Sequence, residues 1–345
     1  MTSMMRNKNE VISIGSVKAA PGEFAYGHLR VGGLSSGSDL TMPVAVVNGR
    51  APGPALWLNG AVHGDEVNAF MVMRRLMPLL DPETLQGAVV FTPLSNPGSL
   101  NWRSKINNLD WLDLDQQFPG RADGTYSQRV AHILFDAVRR HATHLISFHT
   151  VGTAYAAEPY TVFKTHAGLA PEYGQQTEAM ALSFGTKLNC RVDLATAAGE
   201  IAGGVSGGLD AACAAEGIVA FMAEIGSGGD FQEGPIAAGL SGTQAVMTHL
   251  GMIGADPDTA RKAAQKIVTK RTFVYADAAG MMVDCAPAGA LIRAGEPLGR
   301  IVDFFKEKDV VRVAQDALVI MSRRDPVVHE GDRLAFLALE WQDVT

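Results

Sequence analysis

Residues 55–80 read ALWLNGAVHGDEVNAFMVMRRLMPLL. An apolar run of strand length, 55–63, ends in the polar cluster His63-Gly64-Asp65-Glu66. It gives way at once to a segment with helical spacing, 67–80, which stops before Asp81-Pro82. A strand apolar along its whole length is covered on both faces, and a helix that follows it directly supplies one of the covers. The same alternation continues through the centre of the chain. Residues 88–95, 144–149, 160–164 and 218–226 have strand patterns, and 127–141, 209–217 and 236–253 have helical ones. The stretch 171–188 begins as a helix. This predicts an α/β fold with a mostly parallel or mixed sheet flanked by helices. In such sheets ligands bind beyond the carboxyl ends of the strands, which directs attention to 63–66, 149 and 224.

Outward from this centre the texture changes. Residues 1–50 contain short strand patterns (VISIG, FAYGHLRVGG, MPVAVVNG) and are expected to form a β-rich segment packing on a catalytic domain at 51–268. From about 269 to 345 short β patterns are punctuated by Gly, Pro and Asp without a clear helix, which predicts a small all-β C-terminal domain. Its Ala294-Gly295-Glu296-Pro297-Leu298-Gly299 turn and the echo at 329–334 resemble turns of a biotinyl/lipoyl-like β-barrel. A carrier lysine is not evident near Asp316-Ala317-Leu318, which favours a structural or pocket-rim role.

The chain has 345 residues, 47% hydrophobic and 19% charged, enough for a large core. A net charge of −7 without a basic run makes nucleic acid and anionic membranes poor partners. Apolar stretches are short and interrupted, so no membrane span is expected. The first residues show no secretory pattern, so the expected location is cytoplasmic. Oligomeric state is left open, a homo-oligomer included. Three well-separated cysteines, Cys190, Cys213 and Cys285, suit buried apolar positions better than a disulfide framework or a thiolate metal cluster. Any metal must therefore use His and carboxylate ligands.

His63 and Glu66, three residues apart where a strand turns into a helix, can reach one point, and His149 at the end of another strand can join them. Two His and one Glu form a catalytic zinc set that leaves a position for water. Bound water falls from a pKa near ~16 to about 7. Taken singly, each residue also has an ordinary explanation. His-x-x-Glu arises by chance, His149 suits a hydrogen-bonded strand end, and Glu224 suits a sheet edge. Their common placement at strand ends is what singles them out.

Together the segments Asn59-Gly60-Ala61-Val62-His63-Gly64-Asp65-Glu66, Asn96-Pro97 with Arg103 and Asp113-Leu114-Asp115-Gln116-Gln117-Phe118-Pro119-Gly120, Ser147-Phe148-His149-Thr150, and Ala223-Glu224-Ile225-Gly226 resemble the succinylglutamate desuccinylase/aspartoacylase family of zinc carboxypeptidase-like enzymes. The resemblance spans roughly 50–345. Phe118-Pro119-Gly120-Arg121 and Asp123-Gly124-Thr125 further resemble the bacterial branch of N-acetyl-diaminobutyrate deacetylase-like proteins. The resemblance implies one zinc per chain held by His63, Glu66 and His149. It implies Glu224 as general base, Arg103 as oxyanion stabiliser, and amide hydrolysis of a small N-acylated amine or amino acid. Asp115, Gln116 and Arg191 are the candidate substrate-binding residues. Two departures stand out. The family pattern has Asn-Arg where this chain has Asp115-Gln116, and Asp where it has Ser147. The Arg clamps a substrate carboxylate, which neutral Gln cannot do. Arg191 is one candidate for a replacement cation. A peptidase acting on short peptides and a non-catalytic zinc-binding descendant are the competing functions; retention of the ligands and Glu224 tells against the second.

His132, His141 and His144 are expected to be non-ligands, and His166 a surface residue. Glu158 and Tyr160 are expected at the pocket rim. Gly203-Gly204 and Gly207-Gly208 belong to a mobile or close-packed loop and lack the Lys and Ser/Thr of a phosphate cradle.

Overall fold

The computed structural model describes residues 10–165, 168–195, 207–254 and 264–344; His166 and Gly203-Gly204 lie outside the described residues. The core is a mixed 13-stranded sheet. From one edge its order is Glu23–Gly33, Asp39–Asn48, Gln86–Thr92, Ala51–Asn59, His144–His149, Val219–Glu224, Tyr160–Thr165, Leu188–Asp193, Lys266–Tyr275, Arg333–Asp343, Ala317–Arg323 and Leu291–Ile292. The short strand Tyr155–Ala157 pairs with Ala317–Arg323. At the centre Ala51–Asn59, His144–His149 and Val219–Glu224 run parallel and adjacent, so their carboxyl ends share one edge. The chain leaves Ala51–Asn59 for Gln86–Thr92 on one side and later returns to His144–His149 on the other. That reversal makes the expected crevice for a ligand.

Alternation along the central strands fills a layer on each face. Leu56 and Leu58 join Phe148, Phe221 and Met73 on one face, against the helices Asn68–Leu76, Pro171–Ser183 and Glu233–His249. Trp57, Leu145 and Ala220 point to the other face, against Tyr126–His141 and Leu209–Ala215. Trp57 is fully buried and donates its indole N–H to Thr92 Oγ1 at 2.8 Å, so its burial leaves no polar group stranded. Burying each large apolar side chain contributes roughly 1.5–3 kcal/mol. Among the described residues no helix is long and apolar enough to cross a membrane.

The structure differs from the sequence expectation in instructive places. The strand over 55–63 ends at Asn59. Beyond it Gly60 N–H donates to Thr92 O at 3.0 Å, and Ala61 takes a left-handed conformation with φ 51°. The chain therefore leaves the sheet before His63. The helix over 67–80 is Asn68–Leu76, followed by a 3-10 turn with Pro78 in it. A short helix, Pro97–Trp102, capped by Asn96, and the strand Leu188–Asp193 were not foreseen. Both are short, and the strand is half polar.

The C-terminal region is β throughout its described part, but Lys266–Tyr275 pairs parallel with Leu188–Asp193 and antiparallel with Arg333–Asp343. The main sheet thus runs on into the tail. A four-stranded sheet, Glu307–Arg312, Pro297–Val302, Gly280–Val283 and Val327–Val328, lies over it around Met282, Leu298, Ile301, Val319 and Leu337. The N-terminal strands Glu23–Gly33 and Asp39–Asn48 form the opposite edge of the same main sheet.

Candidate active site

The loop that follows Ala51–Asn59 is held from outside. Ser95 Oγ donates to Gly60 O at 2.8 Å, Asn96 Nδ2 to Val62 O at 2.8 Å, and Gly64 N to Ser104 O at 2.9 Å. This explains the Asn96-Pro97 pair: Asn96 fixes the loop with its amide nitrogen and caps the next helix with its amide oxygen, which accepts from Ser99 N at 3.2 Å. Gly64 is required because a Cβ there would lie 2.1 Å from Ser99 O. On the other side Asn68 Nδ2 donates to Ile225 O at 2.8 Å, tying the helix start to the end of the Glu224 strand.

These restraints bring His63, Glu66 and His149 together, with one ligand atom from each within 4.8 Å of the others. All three are buried. His63 Nδ1 lies 2.8 Å from Glu66 Oε1, and His149 Nδ1 lies 3.1 Å from Glu66 Oε2. Glu66 Oε2 is shielded from solvent yet not aligned for a hydrogen bond. A buried carboxylate with an imidazole nitrogen beside each of its oxygens fits a divalent cation and its N/O donor preference. The other nitrogen of His63, Nε2, lies 3.0 Å from Asp113 Oδ1, and that of His149 lies 3.2 Å from Ser147 Oγ. Each ring is thereby oriented with Nδ1 toward the shared point.

Electrostatics follow from this packing. Burial works to raise the Glu66 carboxyl, but the charges of His63 and His149 win and hold it below the usual carboxylate range. For His63, burial works downward and is overcome by Glu66 and Asp113, which raise it to about 10 without metal. Burial would also raise Asp113, but its hydrogen bond to His63 and the charge there hold it at about 2. Glu224 sits beside His149 in register. Removal from water, aided by the Glu66 charge, pushes its carboxyl up to about 7, and its Oε2 is buried without a hydrogen bond.

These residues open into a cavity of 220 Å³. Asp115 and Gln116 line it, Asp115 buried and Gln116 exposed. Arg103 does not line it. That residue ends the Pro97–Trp102 helix in a left-handed conformation, φ 50°, with its side chain in solvent. Lys105, two residues on, takes the place at the wall, with Nζ 3.6 Å from Asp113 Oδ2. Arg191 lines a different cavity with Thr165 and Asp193, its Nη1 3.9 Å from Glu178 Oε2. Tyr160 lines the site and is buried, whereas Glu158 pairs with Lys187 at 3.0 Å away from it. His132, His141 and His144 lie outside the cavity. Gly207 packs on the backbone of Gln116, where a Cβ would come within 2.7 Å, so the described end of the glycine-rich loop is close-packed.

The pocket-rim role expected of the tail is what the structure shows, but the sequence named none of the tail residues that fill it. Arg271, Phe273, Arg333 and Phe336 line the cavity, with Phe273 and Phe336 stacked at 4.4 Å between ring centroids. The Arg333 guanidinium lies 4.4 Å over Phe273, and that of Arg271 5.6 Å over Phe336. A signal existed in the alternation of Arg271 and Phe273 on one strand face, but not in anything that told which surface that face meets.

His63, Glu66 and His149 converge beside the buried carboxylate of Glu224 on a mixed α/β sheet, a cluster that could hold a metal ion. A profile of the succinylglutamate desuccinylase/aspartoacylase catalytic domain matches residues 52–250, and the chain belongs to that family. It is 23% identical over 305 residues to the N-alpha-acetyl-L-2,4-diaminobutyric acid deacetylase of Halomonas elongata, covering 86% of this chain and 85% of that protein. It resembles the crystal structure of a succinylglutamate desuccinylase/aspartoacylase from Rhodobacter sphaeroides with a TM-score of 0.79 and 25% identity, over 93% of this chain and 96% of that one. The product-bound ectoine utilization protein EutE (DoeB) from Ruegeria pomeroyi shares the fold, with a TM-score of 0.80 and 20% identity over 96% and 99% of the two chains.

Proposed function

We propose that this protein is a zinc-dependent deacylase that hydrolyses the amide bond of a small N-acylated amine or amino acid. The observation that carries the proposal is the convergence of His63 Nδ1, Glu66 and His149 Nδ1 on one point beside Glu224. His63, Glu66 and His149 would hold one zinc ion, which supplies Lewis acidity toward the amide carbonyl and lowers the pKa of water. Glu224, poised by its environment at about 7, accepts a proton from the attacking water and returns it to the departing amine. Lys105, at the cavity wall, offers its ammonium to the negative charge that develops on the carbonyl oxygen, the part that the family resemblance implies for Arg103. Tyr160, Met222, Phe273 and Phe336 give the cavity apolar walls that limit water around these charges. A 220 Å³ cavity suits a small molecule better than a polypeptide, and the Halomonas relative is named for a small acetylated amino acid.

Substrate choice is tested at residue 116. Gln116 stands exposed at the cavity without the charge that clamps a carboxylate in the family pattern. A charge-assisted hydrogen bond is worth roughly 1.5–3 kcal/mol, about ten- to a hundredfold in binding. N-succinylglutamate and N-acetylaspartate are therefore expected to be poor substrates, and Gln116→Arg should improve kcat/KM for them by about that factor. The measurement compares free acids with their amides in both proteins. A strong wild-type preference for the acids with no gain from Gln116→Arg would move the clamp to another cavity cation.

A further inference from the structure

Asp113 and Asp115 flank Leu114 in the 3-10 turn Leu114–Gln116, and the turn sets their directions. Asp113 Oδ1 accepts from Asp115 N at 3.0 Å, while Leu114 is fully buried in the apolar layer beneath. Both carboxylates then face the metal loop. Asp113 Oδ1 reaches His63 Nε2 at 3.0 Å. Asp115 Oδ1 lies 4.0 Å from His149 Nε2, the nitrogen that faces away from Glu66 and is also 3.2 Å from Ser147 Oγ. The Asp115 side chain is 12% exposed, and its Oδ1 is buried with no hydrogen-bond partner among the described residues. Behind it Lys164, bonded to Asp210 at 2.6 Å, and Gly208 close the space. A Cβ on Gly208 would lie 3.5 Å from Asp115 Oδ1 and 3.0 Å from Lys164 Nζ, so the glycine backbone stands beside the Asp115 carboxylate.

We propose that Asp115 is a positioning residue for His149, so that one short turn delivers a carboxylate to each of the two imidazoles. The inference rests on the zinc site put forward above and assigns to Asp115 a part different from substrate binding. A ligating imidazole needs an acceptor for its second N–H, which fixes the tautomer and strengthens the ligand. Ser147 supplies a hydroxyl, but no charge. Asp115 supplies the charge from across the site, with its Oδ1 4.0 Å from the same nitrogen. The two positions at which this chain departs from the family pattern, 115 and 147, thus meet at one ring nitrogen. The carboxylate lost from the strand is regained on the turn.

The test is zinc affinity, measured by chelator competition on wild type, Asp115→Asn and Asp115→Asn/Ser147→Asp, with KM at saturating zinc alongside. Asp115→Asn is nearly isosteric and keeps the turn, so its expected effect is about 10- to 100-fold weaker zinc binding with little change in KM. The double variant, which returns a carboxylate to the same nitrogen from the strand, should recover most of that loss. Unchanged zinc affinity in Asp115→Asn together with a raised KM would overturn the inference and make Asp115 a substrate contact. A single variant with weak zinc binding that Ser147→Asp does not rescue would also overturn it, since the charge near His149 would then not be what matters. A wild-type chain without zinc affinity would sink the deacylase proposal and this one with it, whereas the preceding outcomes leave the deacylase proposal standing.

Discussion

Glu224→Gln is expected to keep the fold and the zinc while losing between about 10²- and 10⁴-fold in kcat, the contribution usual for a positioned general acid–base group. Glu224 ends its strand in register with His149, and its Oε2 is shielded from solvent without a hydrogen bond. The amide therefore fits the same space but cannot accept a proton. Removal from water raises the carboxyl to about 7 in the metal-free protein. The base is the ionised form, so activity falls as pH drops through this value, and a bound cation shifts the acid limb downward. Stability has the opposite sign. A carboxyl whose folded pKa is raised helps the folded state fully below the ordinary Glu range, and that help is lost as pH rises through about 7. Metal-free Glu224→Gln should accordingly melt no lower than wild type above neutrality. Near-normal turnover in this variant, measured with zinc content confirmed, would remove Glu224 from the mechanism.

The second large effect concerns the metal. Purified protein should carry about one zinc per chain, and His63→Ala or His149→Ala should each abolish both tight zinc binding and activity. Each imidazole turns its Nδ1 toward Glu66, and each removal would leave only two of the three proposed ligands, too few for a catalytic site. Metal analysis after dialysis against a chelator reads this directly. Full zinc retention in both variants would show that other residues bind the ion.

The sheet centre and the clustering of His63, Glu66 and His149 were legible in the sequence because both depend on local pattern. Apolar strands run into polar ends, and in an α/β sheet those ends meet. Arg103 and Lys105 could not be told apart this way, because the chain passes through a left-handed conformation at Arg103 and turns the next side chains in a direction no spacing records. Arg191 looked available as a cation because the strand that carries it, Leu188–Asp193, was not foreseen, and its position on that strand puts it at a different cavity. The motif around Asp113 carries no sign of that residue's part, since its partner His63 lies 50 residues earlier. Arg271, Arg333 and the two stacked phenylalanines depend on pairing between Lys266–Tyr275 and Leu188–Asp193, a contact between segments remote in sequence.

That same pairing bears on how the molecule comes apart. Lys266–Tyr275 lies between Leu188–Asp193 and Arg333–Asp343, so removing the tail would strip the cover from a strand of the main sheet. A newly bared row of backbone N–H and C=O groups is a template for pairing with other chains. A truncation at residue 265, just before this strand, therefore exposes an aggregation-prone edge instead of liberating a smaller well-behaved domain. Heat should disrupt the front and the tail of the chain in one cooperative transition, because the hydrogen-bond ladder offers no seam at which they part.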